Sequence, residues 1–156
     1  MTGLGTTSWL ILTMDIVREA DVVAARQRAR RIAELIGFET QDQTRIATAV
    51  SEIARNAFEY AHQGLVDFNV HCPEQSPQQF LVTIKDNGPG IHDLDAVLEG
   101  RFNSSNGFGV GLSGARRLVE EFRVASAPGK GTAVTIGKAC RSVTTSRMPV
   151  LNGMGT

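Results

Sequence analysis

Glu52 and Asn56 stand four residues apart in a segment whose apolar residues recur at helical intervals. On a helix that spacing places the two side chains one above the other. A carboxylate beside an amide suits proton abstraction next to Mg²⁺. That ion keeps several waters and takes most other ligands from phosphates, so one protein oxygen is enough. The same pair also suits a solvated flank of an amphipathic helix.

Asp86-Asn87-Gly88-Pro89-Gly90 follows an apolar strand pattern. A carboxylate at a strand end is placed to accept from an adenine amino group, and the glycines let backbone approach a base closely. A plain turn asks for the same residue types. Further on, Gly107, Gly109 and Gly111, with Val110 and Leu112 between and after them, open a helical pattern. A glycine-rich turn entering a helix N-terminus makes a phosphate cradle. Gly109 to Gly114 matches GxGxxG by letter, but no strand precedes it and no acidic ribose ligand follows, so a Rossmann site is excluded. Walker A spacing is absent. Thr132, after Gly131, offers a hydroxyl that reaches a base through water, or serves as an ordinary β-branched strand residue.

The elements that must hold these residues follow from periodicity. Ser8 to Ile16 reads as a strand, and Arg18 to Ile36 as a helix stopped by Gly37. Gln41 to His62 is a second helix with the stripe Ile46, Val50, Ile53, Ala57 and Tyr60, closed by Gly64. Leu65 to His71 and Phe80 to Lys85 alternate as a hairpin. A helical hint covers Leu94 to Leu98, and Leu112 to Phe122 reads as a helix. Phe122 to Ala127 and Thr132 to Ile136 flank a Pro128-Gly129-Lys130-Gly131 turn. The order lacks regular βαβ alternation. It predicts an α+β fold, a two-layer sandwich with a mixed, mostly antiparallel sheet and helices on one face.

The chain has 156 residues, enough for one core-bearing domain. Sixteen basic residues balance sixteen acidic ones, so no global field draws it to nucleic acid or an anionic membrane. Cys72 and Cys140 form no CxxC motif or disulfide framework, His62, His71 and His92 show no zinc spacing, and Trp9 to Leu12 is too short to span a membrane. A soluble cytoplasmic protein is expected. Arg26, Arg28, Arg30 and Arg31 make the first helix basic on one side, with Arg116 and Arg117 on the third. These suit a solvated face or an acidic partner.

The ordered set of Glu-x-x-x-Asn on a helix, Asp-x-Gly-x-Gly, Gly-x-Gly-x-Gly into a helix and Gly-Thr on a strand resembles the GHKL (Bergerat fold) superfamily. That superfamily includes histidine kinases, gyrase B, Hsp90 and MutL. Within it, the segments 21–27, 51–56 and 111–118 look like the small, RsbT-like serine kinases of bacterial partner-switching systems. The resemblance implies ATP and Mg²⁺ as cofactors. It implies Glu52 as general base, Asn56 as Mg²⁺ ligand, and Asp86 on adenine. Gly88 and Gly90 shape the base pocket. Gly107, Gly109, Val110, Gly111 and Leu112 lie about the phosphates, and Thr132 supports adenine. Ser104 and Ser105 fall in the lid, whose 91–106 stretch is short and offers no assignable γ-phosphate contact. The matched domain is 9–138, with 139–156 a tail of no recognised counterpart.

The expected activity is phosphorylation of a serine on a STAS-domain antagonist, with a downstream phosphatase or sigma regulator as a further partner. A non-enzymatic nucleotide-binding switch and the catalytic domain of a larger histidine kinase are the alternatives.

Overall fold

The computed structural model describes residues 7–73, 76–99 and 108–141, with the backbone alone at 108–110. Among the described residues there are five strands: β1 (Thr7–Ile16), β2 (Gly64–Cys72), β3 (Gln79–Asp86), β4 (Glu121–Ser126) and β5 (Thr132–Ala139). The helices are α1 (Glu19–Ile36), α2 (Thr40–Asn56), α3 (Leu94–Leu98) and α4 (Phe108–Leu118). The sheet order is β1-β2-β3-β5-β4, and every described pairing is antiparallel.

Alternation decides which face the helices cover. Val66, Phe68, Val70, Phe80, Val82, Ile84, Val134 and Ile136 are buried, while Asp67, Asn69, Thr83, Lys85 and Thr135 between them are not. All of the buried set but Val70 meet Val22, Ala25, Ala29 and Ile32 of α1, Ile46, Val50 and Ile53 of α2, and Leu112 and Ala115 of α4 in one core. Each large aliphatic or aromatic side chain removed from water there contributes about 1.5–3 kcal/mol. The two-layer α+β sandwich expected from the sequence is what forms, with an antiparallel sheet. No described helix is long and apolar enough to cross a membrane.

Local chemistry sets the boundaries. The Asp21 carboxylate accepts from the Val17 and Arg18 amides at 2.9 and 3.0 Å, which secures the entry to α1. Those two bonds hold its pKa below the usual carboxylate value. Gly37 stops α1 as expected. It takes φ 115°, and Phe38 N–H reaches back to the Ala33 carbonyl at 3.0 Å.

Several boundaries differ from the sequence expectation. The helix expected to run to His62 ends its α-geometry at Asn56 and continues as a π-helical turn, Ala57–Ala61. His62, at φ 64°, supplies the left-handed residue that closes it. Gly64 instead begins β2, where a Cβ would lie 2.9 Å from Ala57 Cβ. Likewise α4 begins at Phe108, so Gly109 and Gly111 lie inside the helix rather than in a turn before it. It ends at Leu118 rather than Phe122, because Glu120 N–H bonds the Gly137 carbonyl and Phe122 pairs with Ile136 in the sheet. β5 runs on to Ala139, three residues past the expected end.

Candidate functional site

The first half of the site is made of helices. Ile53, at 2% exposure, anchors α2 in the core, and this leaves Glu52 and Asn56 half-buried on its flank. α4 crosses over that flank at Gly111. A Cβ on Gly111 would stand 3.1 Å from Glu52 Oε2, and 3.5 and 3.6 Å from the Asn56 amide oxygen and nitrogen. Glycine therefore lets the α4 backbone lie directly over the pair. Gly109 and Val110 belong to the first helical turn, whose N–H groups have no intrahelical acceptor and point toward any anion bound there.

Asn56 Nδ2 is buried with no hydrogen-bond partner, alone in this among the described residues. Buried polar atoms are nearly always paired, and an orphan costs about 1–3 kcal/mol. An amide can turn end for end, so either end of Asn56 is available to a ligand. A carboxylate, an unmet amide and open helical N–H groups in one place fit a phosphate-bound divalent cation.

The second half is made of strand ends. Asp86, Thr132 and Ser126 form a row across β3, β5 and β4, with Asp86 opposite Thr132 and Thr132 opposite Ser126. All three share strand parity with core-facing neighbours, buried Ile84 and Val134 and half-buried Val124, so the row lies on the helix-covered face. Burial pushes the Asp86 pKa up, and the Gly88 and Thr132 amides pull it down, with burial the larger effect. Gly88 N–H donates to Asp86 Oδ1 at 2.9 Å.

The Asp86–Gly90 turn and the β4–β5 turn interlock. Gly129 N–H donates to the Pro89 carbonyl at 2.7 Å, and Ile91 N–H donates to Ser126 Oγ at 2.9 Å. A Cβ on Gly90 would collide with the Ala127 carbonyl, and one on Gly131 with the Asp86 carbonyl. Both glycines also have positive φ, 75° and 77°. The π-helical turn joins the two halves. A Cβ on Gly88 would stand 2.7 Å from Ala61 Cβ, five residues past Asn56. π-turns interrupt helices mostly where function is served.

The predicted residues thus fall into two groups. Glu52, Asn56 and Gly111 come together, and so do Asp86, Gly88 and Thr132. Gly109 and Val110 are placed by backbone in the first turn of α4. Gly90 is committed to the Ala127 carbonyl, and the Leu112 side chain is 2% exposed in the core, so only its backbone is left to serve a ligand. Gly107, Ser104 and Ser105 lie outside the described residues. Sequence reasoning missed Ser126, Ala61 and Gly131 as site components. Gly131 carried a signal, its place before Thr132 in a turn; Ser126 and Ala61 carried none.

Comparison with known proteins bears on this arrangement. Residues 41–140 match the family described as histidine kinase-, DNA gyrase B- and HSP90-like ATPase. The chain is 42% identical over 119 residues to the serine/threonine-protein kinase RsbT of Bacillus subtilis, covering 76% of this chain and 89% of that protein. It is 27% identical over 96 residues to an anti-sigma F factor of Thermoanaerobacter, covering 60% of this chain and 67% of the relative. It is 31% identical over 103 residues to the adaptive-response sensory kinase SasA of Prochlorococcus marinus, covering 58% of this chain but 27% of that protein. The matched span holds Glu52, Asn56, Asp86, Gly111 and Thr132 on the α2–α4 and β3–β5 framework, and on that match the chain belongs to the histidine kinase-, DNA gyrase B- and HSP90-like ATPase family.

Proposed function

We propose that the chain is an ATP-dependent serine/threonine protein kinase of a bacterial partner-switching system, acting in the cytoplasm on a serine of a STAS-domain antagonist. The observation that carries this is the Glu52–Asn56 pair beneath Gly111, with an amide atom left unmet. The similarity to RsbT supports a protein hydroxyl as acceptor.

When bound, ATP·Mg²⁺ supplies the phosphoryl group and the cation that neutralises its charge. Asn56 holds the cation. The first turn of α4 offers N–H groups to the phosphates. Asp86 accepts from the base amine, and Thr132 assists it. Glu52 orients the acceptor hydroxyl and takes its proton. Phosphoryl transfer asks mainly for positioning and charge neutralisation, so this small set suffices. Phosphorylation then adds charge at the partner interface and weakens that complex.

The test uses labelled ATP, Mg²⁺ and a STAS-domain partner. Glu52→Ala is expected to bind ATP as the unsubstituted protein does and to transfer label about 10²–10⁴-fold more slowly. Transfer at the original rate by Glu52→Ala removes Glu52 as base. Tight ATP binding with no transfer by the unsubstituted protein replaces the kinase with a nucleotide-binding switch.

A further inference from the structure

The base end of the site carries a hydrogen-bond pattern whose direction follows from counting protons. Ser126 Oγ accepts from the Ile91 backbone N–H at 2.9 Å, and it lies 3.0 Å from both the Gly131 carbonyl oxygen and Thr132 Oγ1. A serine hydroxyl has one proton and two lone pairs. The Gly131 carbonyl can only accept, so the Ser126 proton goes there. Ile91 N–H occupies one lone pair. The other lone pair faces Thr132, whose hydroxyl must therefore donate. Turning the Ser126 proton toward Thr132 instead would take this donor from the carbonyl of buried Gly131.

The consequence falls on Thr132. Its single proton is committed to Ser126, so toward the space beside Asp86 it shows lone pairs alone. Asp86, directly opposite Thr132 in the sheet, accepts only when ionised. We propose that Ser126 is a positioning residue that sets the base preference of the nucleotide site. By fixing Thr132 as an acceptor, it makes the edge formed with Asp86 complementary to a purine bearing an exocyclic amine and mismatched to one bearing an exocyclic carbonyl. This rests on the assignment of Asp86 and Thr132 to the base.

The test measures dissociation constants of ATP and inosine triphosphate, with Mg²⁺, by titration calorimetry. The unsubstituted protein is expected to favour ATP by roughly tenfold or more, since a site of acceptors leaves an opposing carbonyl unpaired. In Ser126→Ala the Thr132 proton is free to turn outward, and the preference narrows roughly five- to tenfold. Ser126→Thr keeps the hydroxyl and the original preference. Thr132→Val also narrows the preference, and adding Ser126→Ala to it narrows it no further, since the two act through one hydroxyl.

An unchanged ATP preference in Ser126→Ala overturns the inference. So does an equal loss of both nucleotides, or the same narrowing in the Thr132→Val background, either of which makes Ser126 a support for turn shape. Should the alanine variant fail to fold, an unchanged preference in Thr132→Val overturns it. Failure of the unsubstituted protein to bind ATP at all is a different result, and overturns the nucleotide site itself.

Discussion

The two halves of the site are built on opposite terms. At the strand ends, polar groups are satisfied by the protein itself: Ser126 engages three partners, and Pro89 and Asp86 each accept a backbone N–H. At the helical end the Asn56 amide is left unmet, beneath a glycine that withholds a side chain. The base end is thus preorganised and stabilises the fold with or without ligand. The phosphate end withholds stability until a ligand arrives. Substitutions in the interlocked turns and at Asn56 should move stability in opposite directions.

Gly131→Ala is the strongest way to break this contrast. Its φ of 77° costs an L-residue about 1–2 kcal/mol. A Cβ there also meets the Asp86 carbonyl, and such overpacking costs a further ~1–3 kcal/mol. The expected loss is about 3 kcal/mol, a fall of roughly 10 °C in Tm by calorimetry. ATP binding is lost with it, because the Asp86 and Thr132 strand ends are pushed apart. A variant of unchanged Tm would mean that the two turns do not lock one another.

Asp86→Asn separates affinity from fold. Removing the charge on the acceptor is expected to weaken ATP binding by about 1.5–3 kcal/mol, tenfold to a hundredfold. In the unsubstituted protein, burial raises the Asp86 pKa above the ordinary 3.8, so affinity should begin to fall with acidification before an exposed carboxylate would protonate. Asp86→Asn should lack that pH dependence. Stability runs the other way. The folded state takes up this proton before the unfolded state, so the Asp86 contribution is fully present below the unfolded value and is lost as pH rises through the raised folded one. Relative to Asp86→Asn, the unsubstituted protein therefore gains stability as pH falls through that window. Urea titrations of both proteins across it check the sign, and a constant difference between them would remove burial as the dominant influence on Asp86.

The contrast also explains what could be read from the sequence. Glu52 and Asn56 were legible because helical spacing alone puts them on one flank. Asp86 and Thr132 were each legible as a strand-end residue, but their adjacency is a matter of register between strands 46 residues apart. Ser126 was illegible, since a strand serine has no mark until it is placed opposite Thr132. The π-turn was also hidden, because no residue type encodes a one-residue shift of hydrogen bonding, and an unbroken helix to His62 was expected. Gly109 and Gly111 read as a turn because each glycine costs a helix about 1 kcal/mol. Packing of Leu112 and Ala115 against α2 overrides that preference, and Gly111 is needed where α4 passes over Glu52.

Asn56→Leu probes the smallest effect and the one most specific to the comparison. Leucine keeps the branching and the number of side-chain heavy atoms of asparagine and removes the buried nitrogen that has no partner. Deleting an unsatisfied donor recovers its desolvation penalty, so the free protein should gain about 1 kcal/mol, read as a rise in denaturation midpoint at unchanged slope. The same substitution removes the amide assigned to Mg²⁺. ATP affinity should then no longer respond to Mg²⁺, while adenosine, which needs only the base end, should bind as before. Gained stability with lost Mg²⁺ dependence is the pattern expected of a residue kept for its ligand at the expense of the fold. ATP binding by Asn56→Leu that still strengthens with Mg²⁺ would remove Asn56 as the cation's ligand, and a less stable Asn56→Leu would show that the amide is satisfied within the free protein, so that the two halves of the site would be alike.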